Sequence, residues 1–293
     1  MAEAASSHNV PYYKHVFVLV VSWVDDDLGV LEEEAIPLAQ VFRDKYNYQV
    51  EHFLLPLAQP EAVFHQFFKE RLSAILCSPD NLLILYYSGH GSKGSSGLIW
   101  GPGNEGHEKA YEEYLYPPTI RWNKFQERFI DPARADVVLM IDSCHSGAAP
   151  SASLAATLLA SPEQANFPDL PPLNNHHRVE VLASCGKDSL ALAPGRRSFS
   201  HSLIKELKSR AKTGAPFTAS ELLFAIIPRL KAQDKKWIWQ KKSVPPLFLR
   251  VCGDPDIPSI ELRVMERRED NYEDEDDTLV EKKGFWTRVF RTC

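Results

Sequence analysis

No run of about 18 consecutive apolar residues occurs in this chain, so no segment qualifies as a membrane-spanning helix. No CxxC pair occurs either. The five cysteines (Cys77, Cys144, Cys185, Cys252, Cys293) are odd in number and widely spaced. That pattern excludes a disulfide framework and points to a reducing compartment. Basic residues are outnumbered, 33 Lys and Arg against 39 Asp and Glu, for a net charge of −6. This balance speaks against nucleic acid as the main partner. The start, from Met1 to His8, lacks the basic residues and apolar core of a signal peptide. A cytoplasmic protein without a membrane span is therefore expected. Internal repeats are missing, and between Gly147 and Arg178 there is no Lys or Arg at all.

What is present is an ordinary globular composition, 44% hydrophobic and 25% charged over 293 residues. Six short apolar, β-branched or aromatic runs read as strands: His15–Ser22, Gln49–Leu55, Asn81–Tyr87, Asp136–Ile141, Arg178–Ala183 and Leu247–Val251. Several are apolar at successive positions, as in strands buried on both faces of a largely parallel sheet. Between them lie helical patterns. Pro60–Leu76 carries an apolar stripe at three- and four-residue spacing, and Thr218 to Glu221 forms a capping box before Leu222. Alternating strands and helices predict an α/β sandwich with helices on both faces. Reactive groups then belong at the carboxyl ends of the strands.

Two of those ends carry chemistry. The run Leu82–Tyr87 leads into Ser88-Gly89-His90-Gly91, and Val137–Ile141 leads into Asp142-Ser143-Cys144-His145-Ser146-Gly147. One supplies an imidazole and the other a thiol, 54 positions apart. A free cysteine is only a few per cent thiolate at neutral pH, so Cys144 needs an adjacent base to be a useful nucleophile. His90 is the candidate base. His145, the immediate neighbour of Cys144, is directed to the opposite face of an extended chain and reads as structural.

The paired boxes YYSGHG and DSCHSG resemble those of the caspase-like cysteine peptidases, and of the metacaspases in particular. The likeness runs from the strand at His15 through Ala183-Ser184-Cys185-Gly186 and Phe199–Leu207, and fades after about Leu262. It implies a three-layer caspase-like sandwich around a six-stranded, largely parallel sheet. It also implies a peptidase domain over residues 10–263. Within it lie a large-subunit region (10–147), a linker (148–177) and a small-subunit region (178–263), with a tail over 264–293. The tail is acidic, then basic and aromatic, and reads as disordered. The linker is short, as in members without a long insertion.

The resemblance further implies a cysteine endopeptidase with a His90–Cys144 dyad and an oxyanion hole from the backbone N–H groups of Gly91 and Cys144. Cleavage after Arg or Lys is implied, through an acidic pocket that includes Asp142 and Ser88. A further pocket acid falls on Glu33 or Glu34, and the sequence leaves both open. Where the family tends to show two Asp after the Ser-Cys segment, this chain has Lys187-Asp188. Calcium activation is common in the family, but Thr119–Gln126 offers too few oxygen ligands for a hard cation. No cofactor and no metal are expected, the partners are protein or peptide substrates, and the protein is expected to be a monomer.

Other readings compete. Gly89 to Gly94 fits GxGxxG, but the next residues, Ser95 to Gly103, cannot open a helix, so a dinucleotide fold fails on context. Seven of the 14 glycines lie between Gly89 and Gly106, which reads as a mobile loop lining the site. Cys185 with His176 and His177 lacks zinc-ligand spacing. Trp237 and Trp239, set among lysines, fit either the border of a substrate cleft or packing at a sheet edge. The alternative to an enzyme is a catalytically weak or inactive caspase-like interaction module in a cell-death or immunity pathway.

Overall fold

The computed structural model describes residues 13–95, 97–103, 118–150, 177–236, 243–254 and 256–266, with the side chains of residues 235 and 236 left aside. Its elements follow the chain as strand β1 (His15–Trp23), helix α1 (Ile36–Tyr46), β2 (Gln49–Leu55), α2 (Pro60–Phe67), α3 (Ser73–Leu76) and β3 (Asn81–Ser88). Next come β4 (His90–Gly94), β5 (Gly97–Gly101), β6 (Ile120–Arg121), α4 (Trp122–Phe129), β7 (Asp136–Asp142) and β8 (Val179–Ala183). The last are α5 (Phe199–Thr213), β9 (Phe217–Thr218), α6 (Ala219–Lys236), β10 (Leu247–Cys252) and β11 (Glu261–Leu262).

The main sheet has six strands in the order β10-β8-β7-β3-β1-β2. All neighbours are parallel except β10, which runs antiparallel to β8. These are the six strands expected from the sequence, with ends shifted by at most one residue. Every residue of β3 and of β7 is buried, so these strands have both faces covered. Alternate residues go to opposite faces. Val18, Val20, Ile84, Tyr86, Val138 and Met140 pack with α1, α5 and α6. Leu19, Val21, Leu85, Tyr87, Leu139 and Ile141 pack with Phe64, Phe68 and Phe125 on the other side. Three layers result, as expected.

A widened π turn, Phe68–Leu72, joins α2 to α3. Phe64, Phe68, Leu72 and Leu76 are buried at a constant spacing of four. In a regular helix that spacing would drift around the axis, and the widened turn returns it to one face. Ahead of α6, the expected capping box is formed: Thr218 N donates to Glu221 at 2.8 Å and Glu221 N donates to Thr218 Oγ1 at 3.2 Å.

One expectation is corrected. The glycine-rich segment after His90 is an ordered antiparallel hairpin rather than a mobile loop: β4 pairs with β5, Gly91 opposite Trp100. Leu98 and Trp100 alternate inward along β5. The Trp100 ring lies 3.9 Å from that of Tyr87 and 4.6 Å from that of Trp122, stacked on both. Asn123 locks the arrangement, accepting from Leu98 N at 2.6 Å and donating to the carbonyl of Ala149 at 3.0 Å. Residues 104–106 of that segment, most of the 148–177 linker, Trp237, Trp239 and the tail from residue 267 lie outside the described residues.

At the opposite edge of the sheet from the reactive motifs, Arg178 is buried against Asp136. Its Nε and Nη2 donate to Asp136 Oδ2 at 3.0 and 2.5 Å, Nη2 also to Tyr13 Oη at 2.7 Å, and Nη1 to the Pro258 carbonyl at 2.8 Å. Beyond β11, Met265 N still donates to the Tyr46 carbonyl at 3.0 Å.

Candidate active site

Parallel pairing of β1, β3 and β7 brings their C-terminal loops to one edge. Ser88 and Asp142 are register partners, and Gly89 N donates to the Asp142 carbonyl at 3.3 Å. The two sequence boxes therefore lie side by side. Gly89 has φ +150°, a conformation open to glycine, which turns the chain from β3 into β4 and sets His90 at the mouth of the sheet. From there the Tyr87 hydroxyl donates to the His90 carbonyl at 2.7 Å and accepts from Trp23 Nε1 at 3.1 Å.

A cleft of about 160 Å³ opens at this edge. Its lining includes Glu34, Ser88, His90, Asp142 and Cys144, with Ala191 to Pro194 as the facing wall. Four of the five residues expected at the site, Ser88, His90, Asp142 and Cys144, thus share one cleft. Gly91, the fifth, sits behind it against the Cys144 backbone: a Cβ built at Gly91 would lie 2.4 Å from the Cys144 carbonyl oxygen. His145 has φ +60°, and its Nδ1 lies 2.9 Å from the Lys187 carbonyl, a structural contact outside the cleft lining.

The structure separates Glu33 from Glu34. Glu33 is exposed, whereas Glu34 is 1% exposed and lines the cleft. Ser88 Oγ donates to Glu34 Oε2 at 2.7 Å, and Oε1 has no hydrogen-bond partner. Burial, with the neighbouring Asp142, pushes the Glu34 carboxyl up to about 8, against the hydrogen bond from Ser88 that favours its charge. Burial also raises Asp142, although Ser200 N and Oγ donate to its Oδ2 at 3.0 and 2.7 Å. Two carboxyls so close in a dry site resist being ionised together. A cation entering between them would relieve that conflict.

Asp188 lies outside the cleft lining, its exposed carboxylate 2.6 Å from Lys93 on β4. Cys185 is buried, its thiol donating to the carbonyls of Ser143 at 3.3 Å and Ser189 at 3.2 Å, a structural role. The segment Thr119–Gln126 is taken up by packing, with Ile120, Trp122, Phe125 and Gln126 fully buried. Among the described residues, one trio of His, Cys or acid groups brings its donor atoms within 4.8 Å of one another: Asp26, Asp27 and His90. Two carboxylates and an imidazole fall short of the six to eight oxygens that calcium takes.

Asp27 was not singled out by the sequence, yet its Oδ1 is 2.5 Å from His90 Nε2. The available signal was Asp25-Asp26-Asp27 directly after the first apolar strand, at the same carboxyl edge as both boxes. Asp26 holds this loop in shape, accepting from Val30 N at 2.7 Å.

The caspase domain family model matches residues 25–250, most of the chain, and the chain belongs to that family. Among solved structures, it is similar to caspase-1 from Spodoptera frugiperda at 14% identity and a TM-score of 0.49, covering 85% of this chain and 93% of that one. No curated protein shows significant similarity to it.

Proposed function

We propose that this caspase-domain protein is a cysteine endopeptidase of metacaspase type that cleaves after Arg or Lys. The observation that carries the reading is the shared cleft, in which Cys144 and His90 stand beside the buried acids Glu34 and Asp142. In this reading His90 takes the Cys144 proton, and the thiolate attacks the peptide carbonyl carbon. Backbone N–H groups of Gly91 and Cys144 are the proposed donors to the resulting oxyanion. His90 then protonates the leaving amine, and water, deprotonated by His90, hydrolyses the thioester.

Glu34 and Asp142 would bind the substrate cation, with Ser88 orienting Glu34. Charge-assisted contacts are strong, and an unpaired buried charge is costly, so the same pair would reject Asp before the cut bond. Supporting a cytoplasmic, single-chain enzyme are the thiols of Cys77, Cys185 and Cys252, which form no disulfide among the described residues, and the six-stranded sheet formed within one chain.

Profiling cleavage of a peptide library tests the reading. Wild type should cut after Arg and Lys, and Cys144→Ala and His90→Ala should each lose nearly all turnover while keeping a cooperative melt. Groups that act as one unit lose about as much singly as together. Turnover retained in Cys144→Ala would remove the proposed nucleophile. An inert wild type whose Cys144 ignores thiol-directed Arg or Lys probes would favour the interaction module.

A further inference from the structure

We propose that Asp27 is a positioning residue for His90, making the dyad a Cys144–His90–Asp27 triad. The inference rests on the peptidase reading of His90 and Cys144. Its basis is the 2.5 Å contact between Asp27 Oδ1 and His90 Nε2. An ionised carboxylate only accepts, so Nε2 carries the hydrogen and donates it. This fixes the tautomer: Nδ1 is the unprotonated nitrogen, the one left to Cys144.

In the first step the Cys144 S–H bond breaks and an N–H bond forms at Nδ1. Asp27 keeps its contact with Nε2–H and stabilises the imidazolium without taking the proton itself. On collapse of the tetrahedral intermediate, the Nδ1 proton goes to the leaving amine, and the ring returns to its starting tautomer.

The scaffold supports this role from three directions. β1 and β3 are parallel neighbours, with Val21 opposite Tyr87, so the loop after β1 stands beside the Gly89-His90 turn. Asp26 pins that loop through Val30 N. Trp23, at the end of β1, reaches the His90 carbonyl through the Tyr87 hydroxyl, which holds the backbone on which the imidazole turns. Asp26 and Asp27 face the ring from the loop after β1, and Cys144 belongs to the loop after β7. Asp26 accepts from Val30 N through Oδ2 and its Oδ1 makes no hydrogen bond, whereas Asp27 Oδ1 is in contact with Nε2, so Asp27 is the carboxylate that meets the ring.

The Asp27 side chain is 44% exposed while that of His90 is 8% exposed. Solvent screens such a contact. The expected loss is therefore about ten- to a hundredfold in kcat, below the roughly 10⁴-fold found where a triad carboxylate is fully buried.

The test compares Asp27→Asn, Asp27→Ala and Asp27→Glu with wild type, with Asp25→Asn as an exposed control and His90→Ala as the dyad control. Active-site titration normalises each preparation. Two readouts are followed against pH: turnover of an Arg peptide, and iodoacetamide labelling of Cys144, which needs no substrate. We expect Asp27→Asn and Asp27→Ala to lower kcat with KM held within about twofold, partial rescue by Asp27→Glu, and wild-type behaviour in Asp25→Asn. A carboxylate favours the imidazolium, so its removal should move the pH limb belonging to His90 toward lower pH in both readouts. Wild-type kcat and pH limbs in the Asp27 variants, with His90→Ala inactive, would overturn the triad and leave the dyad standing. So would a loss of activity with the limb unmoved, which is what simple loosening of the loop produces. Activity surviving in His90→Ala would overturn the dyad itself, and the role of Asp27 with it.

Discussion

Gly91 and Cys144 are in backbone contact: a single methyl group on Gly91 would lie 2.4 Å from the Cys144 carbonyl oxygen and 2.7 Å from Ser143 Oγ. The His and Cys boxes thus meet through main chain as well as lining one cleft. Gly91→Ala should force the Cys144 turn outward. A displacement of about 1 Å at a reacting group costs about a hundredfold in rate, and we expect a loss of that order in kcat. Steady-state kinetics beside a thermal melt will check it, the melting temperature falling far less than activity.

Glu34 predicts a pH dependence with a definite sign. Its carboxyl titrates near 4.5 when unfolded and near 8 when folded. Between those values the folded state holds more protons, so stability falls as pH rises, until the folded group has also ionised. Glu34→Gln should remove this slope. The variant should melt higher than wild type at pH 8 to 9 and show little difference at pH 4 to 5. Melts across that range, on the Cys144→Ala background to prevent self-digestion, provide the measurement.

The same pair predicts proton release on binding. An Arg side chain between Glu34 and Asp142 favours both in the charged state, so a proton held by the empty pocket at neutral pH should leave. Calorimetry with an Arg peptide and Cys144→Ala, repeated in buffers of different ionisation enthalpy, counts it. Asp142→Ala should lower both the release and the preference for Arg and Lys. Undiminished preference in that variant would remove Asp142 from the pocket.

Much of the fold was legible because β3 and β7 are apolar at nearly every position, a signal that needs no partner to interpret. The hairpin after His90 was obscured by its glycines, although Leu98 and Trp100 already alternated. Glu33 and Glu34 were inseparable because they are adjacent in sequence. Their difference comes from the π turn Leu31–Ala35, which turns Glu34 inward. Asp27 was hidden for another reason. Its contact with His90 depends on β1 lying beside β3, and strand order is a property of the whole sheet.

Arg178 bears on self-processing. It is the first Lys or Arg after Gly147, and it is 2% exposed and hydrogen-bonded to Asp136, Tyr13 and Pro258. A protease of basic specificity therefore finds no usable cut site from Ala148 through Arg178. We expect mass spectrometry of wild type beside Cys144→Ala to show no Cys144-dependent cut there, with any nick falling near Lys235–Lys242, at Arg267-Arg268 or in the tail. A cut between Ala148 and His177 would overturn basic specificity as well.

The same buried pair sets a stability test. Removing one partner strands the other charge, at a cost of about 3–5 kcal/mol. Arg178→Ala should lower the unfolding free energy by that amount in urea titrations followed by tryptophan fluorescence.

The pairing of Ser88 with Asp142 has a consequence in time and temperature. The imidazole and the thiol are strangers until β3 and β7 align, so a chain still being synthesised, or one that has melted, carries only an ordinary cysteine. On the proposed peptidase reading, melted copies would be accessible substrates and folded copies the scissors. Self-destruction then needs both populations at once. It should be slow in the cold, fastest near the melting midpoint where the two coexist, and slow again above it.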